Sequence, residues 1–449
     1  MSGFGYSLLG FLLAIAILVA VHEFGHFWVA RKLGVKVLKF SIGFGRPLFR
    51  WQPKNDPTEY SIGMIPLGGY VKMLDEREGE VSADELHLAF NNKSLKVRSA
   101  VVFAGPAFNF LFAILAIWLV FQIGAPDVKP IVGEILPESI AETAGFRPGD
   151  KLLSVDGREV QTWGEHQFYM LHQAMKGNPI TLEVESEQTV VRTIELDFAA
   201  IDQSQISGQP ITSQIGLYPP PPRAEVSRLV PEAPAALAGL QQGDVITAIN
   251  GEPIAHWFEM VEAVSSRPGE ELELTIRRGE TELSQKLTTA RTEVDGKEYG
   301  RIGIYMPDPQ NTRLRYGPLE AVWASVDYNW RMTAITFRSL GRMLTAEMSS
   351  ENLSGPITIA RLAGDTVQSG LVDFLRFLAI ISVSLGLLNL MPIPVLDGGH
   401  LMYYLVEAVT GKEPSETVML RGQQIGIALL VLLMSLAFYN DIMRLFGLI

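Results

Sequence analysis

Apolar and polar positions divide the chain into four long hydrophobic segments and a more polar middle part. The first segment, residues 4–21, carries no charge and extends through Phe27–Ala30 to a length that can cross a bilayer. The other three are Ser99–Ile123, Leu371–Met391 and Gln424–Tyr439. This pattern predicts four transmembrane helices with a large insertion between the second and the third.

The polar middle part contains an internal repeat. Three features recur at an unbroken offset of 94 residues, namely Pro137–Gly145 with Pro231–Gly239, Gly149-Asp150 with Gly243-Asp244, and Trp163 with Trp257. Such an offset indicates two tandem copies of one domain. Their Ala-Gly-x-x-x-Gly-Asp turn resembles the circularly permuted PDZ domains of bacterial proteases. Domains of that kind capture extended peptides, although the copies could act only as spacers or size filters.

Two further segments have recognisable patterns. Residues 60–73 predict a β-hairpin that turns near Pro66–Gly69 and either covers the membrane face or receives an extended peptide at its edge. Apolar residues at helical spacing between Leu319 and Leu344 predict an amphipathic helix, at the membrane surface or packed under the soluble domains. The predicted divisions are 1–125 and 371–449 for the paired spans, 126–220 and 221–310 for the repeats, and 311–370 for the amphipathic segment.

Charge and composition narrow the possibilities. Seven basic residues and no acidic ones lie between Phe27 and Asn55, which places this loop in the cytoplasm and the N-terminus on the opposite side. The net charge of −12 argues against nucleic acid as a partner. The sequence has no cysteine, which excludes disulfides and cysteine-ligated metals.

The sequence His-Glu-Phe-Gly-His at the end of the first span carries the chemistry. On a helix, His22 and His26 share one face and can bind one Zn²⁺, while Glu23 can reach a water molecule beside it. Ionisable side chains at membrane depth are costly and usually functional. The plain alternative is a pair of interfacial histidines that ends a membrane helix.

A catalytic zinc ion takes three protein ligands and keeps one position open. Spans one and three run in the same direction, so Asp397, just past the third span, lies at the depth of His22. Helix-breaking prolines before Asp397 and two glycines after it free the backbone to aim a short carboxylate. His400 and Glu407 are competing candidates, and Asp397 could instead cap the following helix.

These motifs together resemble the site-2 protease family of intramembrane zinc metalloproteases over essentially the full length. The resemblance rests on HEFGH, on Gly-Pro-x-x-Asn in the second span, on the tandem repeats, and on Asn-Leu-Met-Pro-Ile-Pro-Val-Leu-Asp-Gly at the end of the third. It implies one zinc ion per chain held by His22, His26 and Asp397, with Glu23 as general base. It also implies a substrate-binding set, which comprises Asn389, Pro392, Pro394, Ile62, Gly63, Met64, Gly68, Gly69 and Tyr70.

The predicted fold is a polytopic α-helical membrane protein with about four transmembrane helices, a membrane-associated β-hairpin and two tandem PDZ-like, β-rich α+β domains in the periplasm. The resemblance implies cleavage of single-span membrane proteins in the bacterial inner membrane, with the active site toward the cytoplasm. Expected substrates are an anti-sigma factor already cut on its periplasmic side and remnant signal peptides. A membrane-anchored PDZ scaffold or chaperone without catalysis would need no zinc. A di-iron desaturase would need clustered histidines, whereas this chain has seven in all.

Overall fold

The computed structural model describes residues 3–198, 210–294, 297–306, 312–344 and 355–445. These residues fold as two compact units. The first unit combines Met1–Gly124 with Arg315–Ile449, and the second is Ala125–Leu314. The predicted insertion between the second and third spans is therefore a unit of its own.

Four of the helices have the length and composition of membrane spans. In chain order the helices are α1 (Gly3–Lys32), α2 (Leu95–Ile123), α3 (Ile140–Ala144), α4 (Gln167–Ala174), α5 (Ile211–Gln214), α6 (Pro234–Leu237), α7 (Trp257–Ser265), α8 (Pro318–Leu344), α9 (Pro356–Ser369), α10 (Leu371–Asn389), α11 (Asp397–Thr410) and α12 (Glu416–Leu445). Of these, α1, α2, α10 and α12 are long and apolar enough to cross a bilayer, which confirms the four predicted spans.

The strands are mostly short and lie largely in the second unit. In chain order they are β1 (Val37–Trp51), β2 (Glu59–Met73), β3 (Ala125–Asp127), β4 (Glu134–Ile135), β5 (Lys151–Val155), β6 (Arg158–Glu159), β7 (Ile180–Glu185), β8 (Val191–Leu196), β9 (Leu217–Tyr218), β10 (Arg228–Leu229), β11 (Val245–Ile249), β12 (Glu252–Pro253), β13 (Glu271–Arg278), β14 (Thr281–Thr288), β15 (Ala290–Val294), β16 (Lys297–Arg301), β17 (Ile304–Tyr305) and β18 (Thr312–Leu314).

Small residues let α1 approach its neighbours at backbone distance. A Cβ added at Gly25 would lie 2.5 Å from the Ala104 carbonyl oxygen of α2, and one at Gly10 would lie 2.7 Å from the Ala363 carbonyl oxygen of α9. Such contacts give helices in lipid the close packing that a hydrophobic driving force cannot supply there. They hold α1 between α2 and α9 and so fix the position of its histidine pair.

β1 and β2 form a sheet of their own beside α1, and its register differs from the predicted hairpin. Ile42 of β1 is paired both with Ile62 and with Gly69 of β2. β2 therefore reverses between those two residues, near the predicted turn, but its two arms flank β1 instead of pairing with each other. The crossing requires a glycine, because a Cβ at Gly63 would lie 2.6 Å from the Phe44 carbonyl oxygen.

The predicted amphipathic segment contains two helices, α8 and α9, and its residues 311 and 345–354 lie outside the described part of the chain. α8 buries Ser325 and Asn329, whereas Trp323 and Trp330 are 75% and 69% exposed. It packs against α2 and α10. The helix is thus amphipathic, while its position at a membrane surface stays a prediction.

The second unit contains two copies of one fold. Four-stranded sheets in the orders β6-β5-β7-β8 and β12-β11-β13-β14 form their centres. In each copy the aspartate of the repeated Gly-Asp pair is buried and bound to an arginine, Asp150 to Arg192 and Asp244 to Arg278. The two arginines come from non-equivalent strands, β8 in the first copy and β13 in the second. Both copies therefore have an ion pair at this aspartate, but the arginine is supplied from a different strand in each.

The two ends of this unit meet, because β3 pairs with β18 and Ala125 lies opposite Leu314. The predicted boundaries of the two copies stay predictions. Residue 310, the predicted end of the second copy, lies outside the described residues.

Candidate metal centre

His22 and His26 of α1 present their rings to one point beside α2. Their Nε2 atoms are 3.2 Å apart. The His26 Nδ1–H donates to the carbonyl oxygen of Val101 over 2.8 Å, and because a carbonyl only accepts, the proton of a neutral His26 is on Nδ1. The Nε2 lone pair of His26 is therefore available to a metal ion.

Asp397, the first residue of α11, completes the group. Its Oδ2 lies 3.1 Å from Nε2 of His22 and 3.6 Å from Nε2 of His26. This oxygen is buried and accepts no hydrogen bond from the described residues. The three ligand atoms lie within 4.8 Å of one another, and the described residues contain no second such group of His, Asp and Glu side chains. Two imidazoles and one carboxylate, whose oxygen has no hydrogen-bond partner among the described residues, suit a zinc ion with an open position.

The loop between α10 and α11 aims Asp397. Val395 has a φ of 105°, a strained value for a β-branched residue and of the kind that is kept at functional sites. Gly398 and Gly399 let this loop fold against the start of α11, since a Cβ at Gly399 would lie 2.5 Å from the Ile393 carbonyl oxygen. The local sequence thus sets the direction of the carboxylate.

The competing candidates line the same cavity but do not belong to the ligand group. Glu407 is bound to Arg98, whose Nη2 donates to its Oε1 over 2.5 Å. His400 lines the same cavity as Asp397 but does not belong to the ligand group. The N-cap residue of α11 is Leu396, so capping does not account for the aspartate.

Glu23 stands beside the ligand group in a cavity of about 480 Å³. The cavity wall includes Glu23, His26 and Asp397, together with residues Val71–Met73 of β2. Glu23 is not among the three ligands. Its carboxylate therefore lines the cavity beside the ligand group without belonging to it.

Residues 10–433 match the family model described as peptidase family M50. This chain belongs to peptidase family M50. It is 42% identical to the regulator of sigma-E protease RseP of Escherichia coli (strain K12), and the match covers 99% of this chain and all of that protein. It is 41% identical to a putative zinc metalloprotease of Vibrio cholerae, and that match covers 98% of this chain and 99% of that protein.

Two solved structures of PDZ domains from SdrC-like proteins also match parts of this M50 peptidase. The domain from Listeria monocytogenes is 23% identical and covers 18% of this chain and 84% of its own, with a TM-score of 0.17. The domain from Listeria innocua is 25% identical and covers 19% of this chain and 92% of its own, also with a TM-score of 0.17.

Membership of family M50 and the similarity to a zinc metalloprotease establish the class of enzyme. The protein is a membrane zinc metalloprotease. The predicted enzyme class and zinc cofactor are therefore confirmed. The predicted fold class, with four membrane-spanning helices and β-rich domains, is confirmed as well.

The β-loop of this M50 peptidase carries six predicted substrate-binding residues, and their role in binding substrate stays a prediction. A Cβ added at Gly69 would lie 3.0 Å from Cγ of Glu23, so Gly69 lies directly against the proposed base. The Tyr70 ring stacks on Phe44, with centroids 6.3 Å apart. The other four belong to the reversal and the arm before it, where Ile62 and Met64 are exposed and Gly63 and Gly68 lie against Phe44.

The other three predicted substrate-binding residues lie at the end of α10 and within the strained loop that follows it. Asn389 ends α10, Pro392 is exposed, and Pro394 is half-buried. The Pro394 carbonyl oxygen contacts the backbone of α12 at Gly426. The role of these three residues in binding substrate stays a prediction as well.

Sequence reasoning missed two contributors to the site. Gly105 lets α2 meet the imidazole rings, because a Cβ there would lie 2.8 Å from Cε1 of His22. The Gly-Pro pair inside an apolar span was the signal for this close approach. Residues Val71–Met73 line the cavity instead of the predicted residues earlier in β2, and no local motif marks them.

Proposed function

We propose that this peptidase cleaves transmembrane segments of single-span membrane proteins, with His22, His26 and Asp397 as zinc ligands and Glu23 as general base. The observation that carries the proposal is the convergence of the three ligand atoms at the end of an apolar span. Such groups are costly at membrane depth and are kept there for function.

The side chains divide the reaction between them. A bound zinc ion supplies Lewis-acid activation of water and of the scissile carbonyl group. Glu23 takes a proton from the attacking water and passes it to the leaving amine. The Val101 carbonyl oxygen holds His26 with its Nε2 toward the centre, while the strained loop at Val395 holds Asp397.

β2 offers a surface to an unwound substrate. A helical peptide bond is shielded by its own hydrogen bonds, and its groups need new partners at membrane depth once the helix opens. Residues Gly69–Met73 pair with β1 along one edge, and Val71–Met73 line the cavity that contains Glu23. Addition of the substrate to this strand would bring its backbone to the base.

Because the chain has no cysteine, this strand can be probed with single cysteines. Cysteine at Tyr70 is expected to form a disulfide with a cysteine near the cleavage site of a model transmembrane substrate. Cysteine at exposed Glu80 serves as the control. Equal cross-linking at both positions, or none at Tyr70, would contradict binding along β2.

The relatives named regulator of sigma-E protease support an anti-sigma factor, already cut on its periplasmic side, as one substrate. Remnant signal peptides are a second class. The basic loop between Phe27 and Asn55 supports an inner-membrane orientation with the active site toward the cytoplasm. The N-terminus and the two repeat domains are then periplasmic.

The test compares wild type with Glu23→Gln in the purified full-length protein. Wild type is expected to hold one zinc ion per chain and to cleave a model transmembrane peptide. The variant is expected to keep its zinc and lose about 10²–10⁴-fold in cleavage rate. Equal rates would reject Glu23 as base, and cleavage by metal-free protein would reject the zinc site.

A further inference from the structure

Asn109 is a fully buried amide inside the apolar helix α2, in contact with a proposed zinc ligand. Its Nδ2 lies 3.1 Å from Nδ1 of His22. Its Oδ1 has no hydrogen-bond partner among the described residues. A buried polar atom left without a partner costs free energy, so this arrangement calls for a physical explanation.

The chemistry of a zinc-binding imidazole supplies one. A neutral imidazole carries one N–H, and the nitrogen that binds a metal must be the other. If Nδ2 of Asn109 donates to Nδ1 of His22, the proton lies on Nε2, which faces Nε2 of His26 and Oδ2 of Asp397. That tautomer cannot bind the ion through Nε2.

Turning the amide by 180° exchanges its oxygen and nitrogen and reverses this result. Oδ1 of Asn109 then accepts from Nδ1–H of His22, and the Nε2 lone pair of His22 points to the centre. The exchange keeps the hydrogen bond between Asn109 and His22, with the amide oxygen as its acceptor. The carboxamide of an asparagine is compatible with either orientation, and the hydrogen-bond network decides between them.

We infer that Asn109 is a positioning residue for zinc: its side-chain oxygen fixes the tautomer and ring orientation of His22. The role parallels that of the Val101 carbonyl oxygen for His26. α2 thus supplies the acceptors for both histidines, with Gly105 halfway between Val101 and Asn109. Acceptors of this kind raise the affinity of histidine sites for metal.

The surroundings hold Asn109 in place. Ser382 of α10 donates its hydroxyl hydrogen to the backbone carbonyl oxygen of Asn109 over 2.8 Å. Gly386, one helical turn further along α10, leaves room for the side chain, since a Cβ there would lie 3.4 Å from Cβ of Asn109. Contacts from α10 therefore fix the position of Asn109 on α2 beside His22.

The experiment measures zinc affinity by competition with a chelator in the full-length protein. Asn109→Leu removes the acceptor and is expected to weaken zinc binding 10–100-fold. Asn109→Asp keeps an acceptor and is expected to stay within about threefold of wild type, because a carboxylate can serve the same role. Asn329→Leu is the matched control, since Asn329 is also buried in a helix of this unit with an unpartnered Oδ1.

A second readout does not depend on activity. In ¹⁵N-histidine-labelled protein, the metal-loaded wild type and Asn109→Asp are expected to show His22 protonated at Nδ1. Wild-type affinity in Asn109→Leu, or an affinity in Asn109→Asp as weak as in Asn109→Leu, would overturn the inference. The inference rests on the proposed zinc site: wild type without zinc would reject that site, whereas a zinc-binding wild type with an unaffected Asn109→Leu rejects only the role of Asn109.

Discussion

Gly69 of β2 lies against Glu23 of α1, so that a Cβ added at Gly69 would lie 3.0 Å from Cγ of Glu23 and 2.7 Å from the Ser41 carbonyl oxygen. The Ser41 backbone is held in the paired strand β1, so the Glu23 side chain is the neighbour that can give way. Gly69→Ala is therefore expected to displace Glu23 and lower the cleavage rate at least tenfold while zinc content stays at one per chain.

The control for this prediction is Gly79→Ala, because a Cβ at Gly79 meets nothing within 4 Å. Cleavage of a model transmembrane peptide and bound zinc are measured for both variants. A Gly69→Ala enzyme as fast as Gly79→Ala would show that the contact does not set the position of the base.

The loop that carries Asp397 is supported from behind by α12. Gly426 contacts the Pro394 carbonyl oxygen, and Gly422 contacts the Tyr403 hydroxyl. Gly426→Ala is expected to push this loop away from the histidines and weaken zinc binding by about tenfold, the lower end of losses at outer-shell positions. Gly341→Ala in α8, where a Cβ meets nothing within 4 Å, should leave zinc affinity unchanged. Chelator competition checks both.

Arg98 joins the start of α2 to α11. Its side chain is 7% exposed and binds Glu407 over 2.5 Å and Glu413 over 2.8 Å. Arg98→Met leaves the half-buried Glu407 without this partner and is expected to cost about 1.5–3 kcal/mol of unfolding free energy, the range for hydrogen bonds to charged groups. The double variant Arg98→Met/Glu407→Met should recover much of that loss. Thermal unfolding of detergent-solubilised protein measures both, and additive losses would contradict a direct pair.

The ion pair of the second repeat domain gives that domain a pH dependence. Hydrogen bonds from Arg278 lower the pKa of the buried Asp244 carboxyl below its ordinary value. A carboxyl group whose pKa is lowered in the folded state stabilises the fold at pH values above its pKa in the unfolded chain, about 3.9. This stabilisation is lost as the pH falls through the pKa of the folded state. Amide protection in β11 and β13 should therefore decrease below about pH 4.

Asp244→Asn tests the same pair at neutral pH. It is expected to lower the unfolding free energy of this domain by about 1.5–3 kcal/mol, the range for hydrogen bonds to charged groups. It is also expected to remove the loss of amide protection at acid pH. Hydrogen exchange in the full-length protein, corrected for the intrinsic rate at each pH, reports on both. Glu280→Gln, at an exposed turn, is the control. An unchanged acid dependence in Asp244→Asn would assign it to other groups.

The repeat domains can be removed with little strain, since Ala125 and Leu314 are paired at their two ends. A chain with a short linker in place of residues 126–313 is expected to bind zinc like wild type. If the repeats exclude substrates with bulky external domains, the shortened enzyme should cleave trimmed and untrimmed substrates at similar rates. Preserved discrimination between the two substrates would assign selection to the membrane unit.

The sequence alone determined much of this protein. Apolar runs of bilayer length predicted the four spans, and an unbroken 94-residue offset predicted the repeated fold. His22, Glu23 and His26 follow from a helical spacing of four residues, which is a local property. The equal direction of spans one and three limited the third ligand to the region after span three, and the prolines and glycines around Asp397 favoured it over His400 and Glu407.

Only the tertiary structure decided how these parts meet. The pairing of β2 on both sides of β1 depends on a backbone crossing at Gly63, which no local pattern encodes. The contacts of Glu23 with Gly69 and of His22 with Asn109 join residues far apart in the chain. Such contacts depend on which elements pack closely against one another. The periodicity of the sequence shows which face of an element is apolar, but it does not show which element packs against that face.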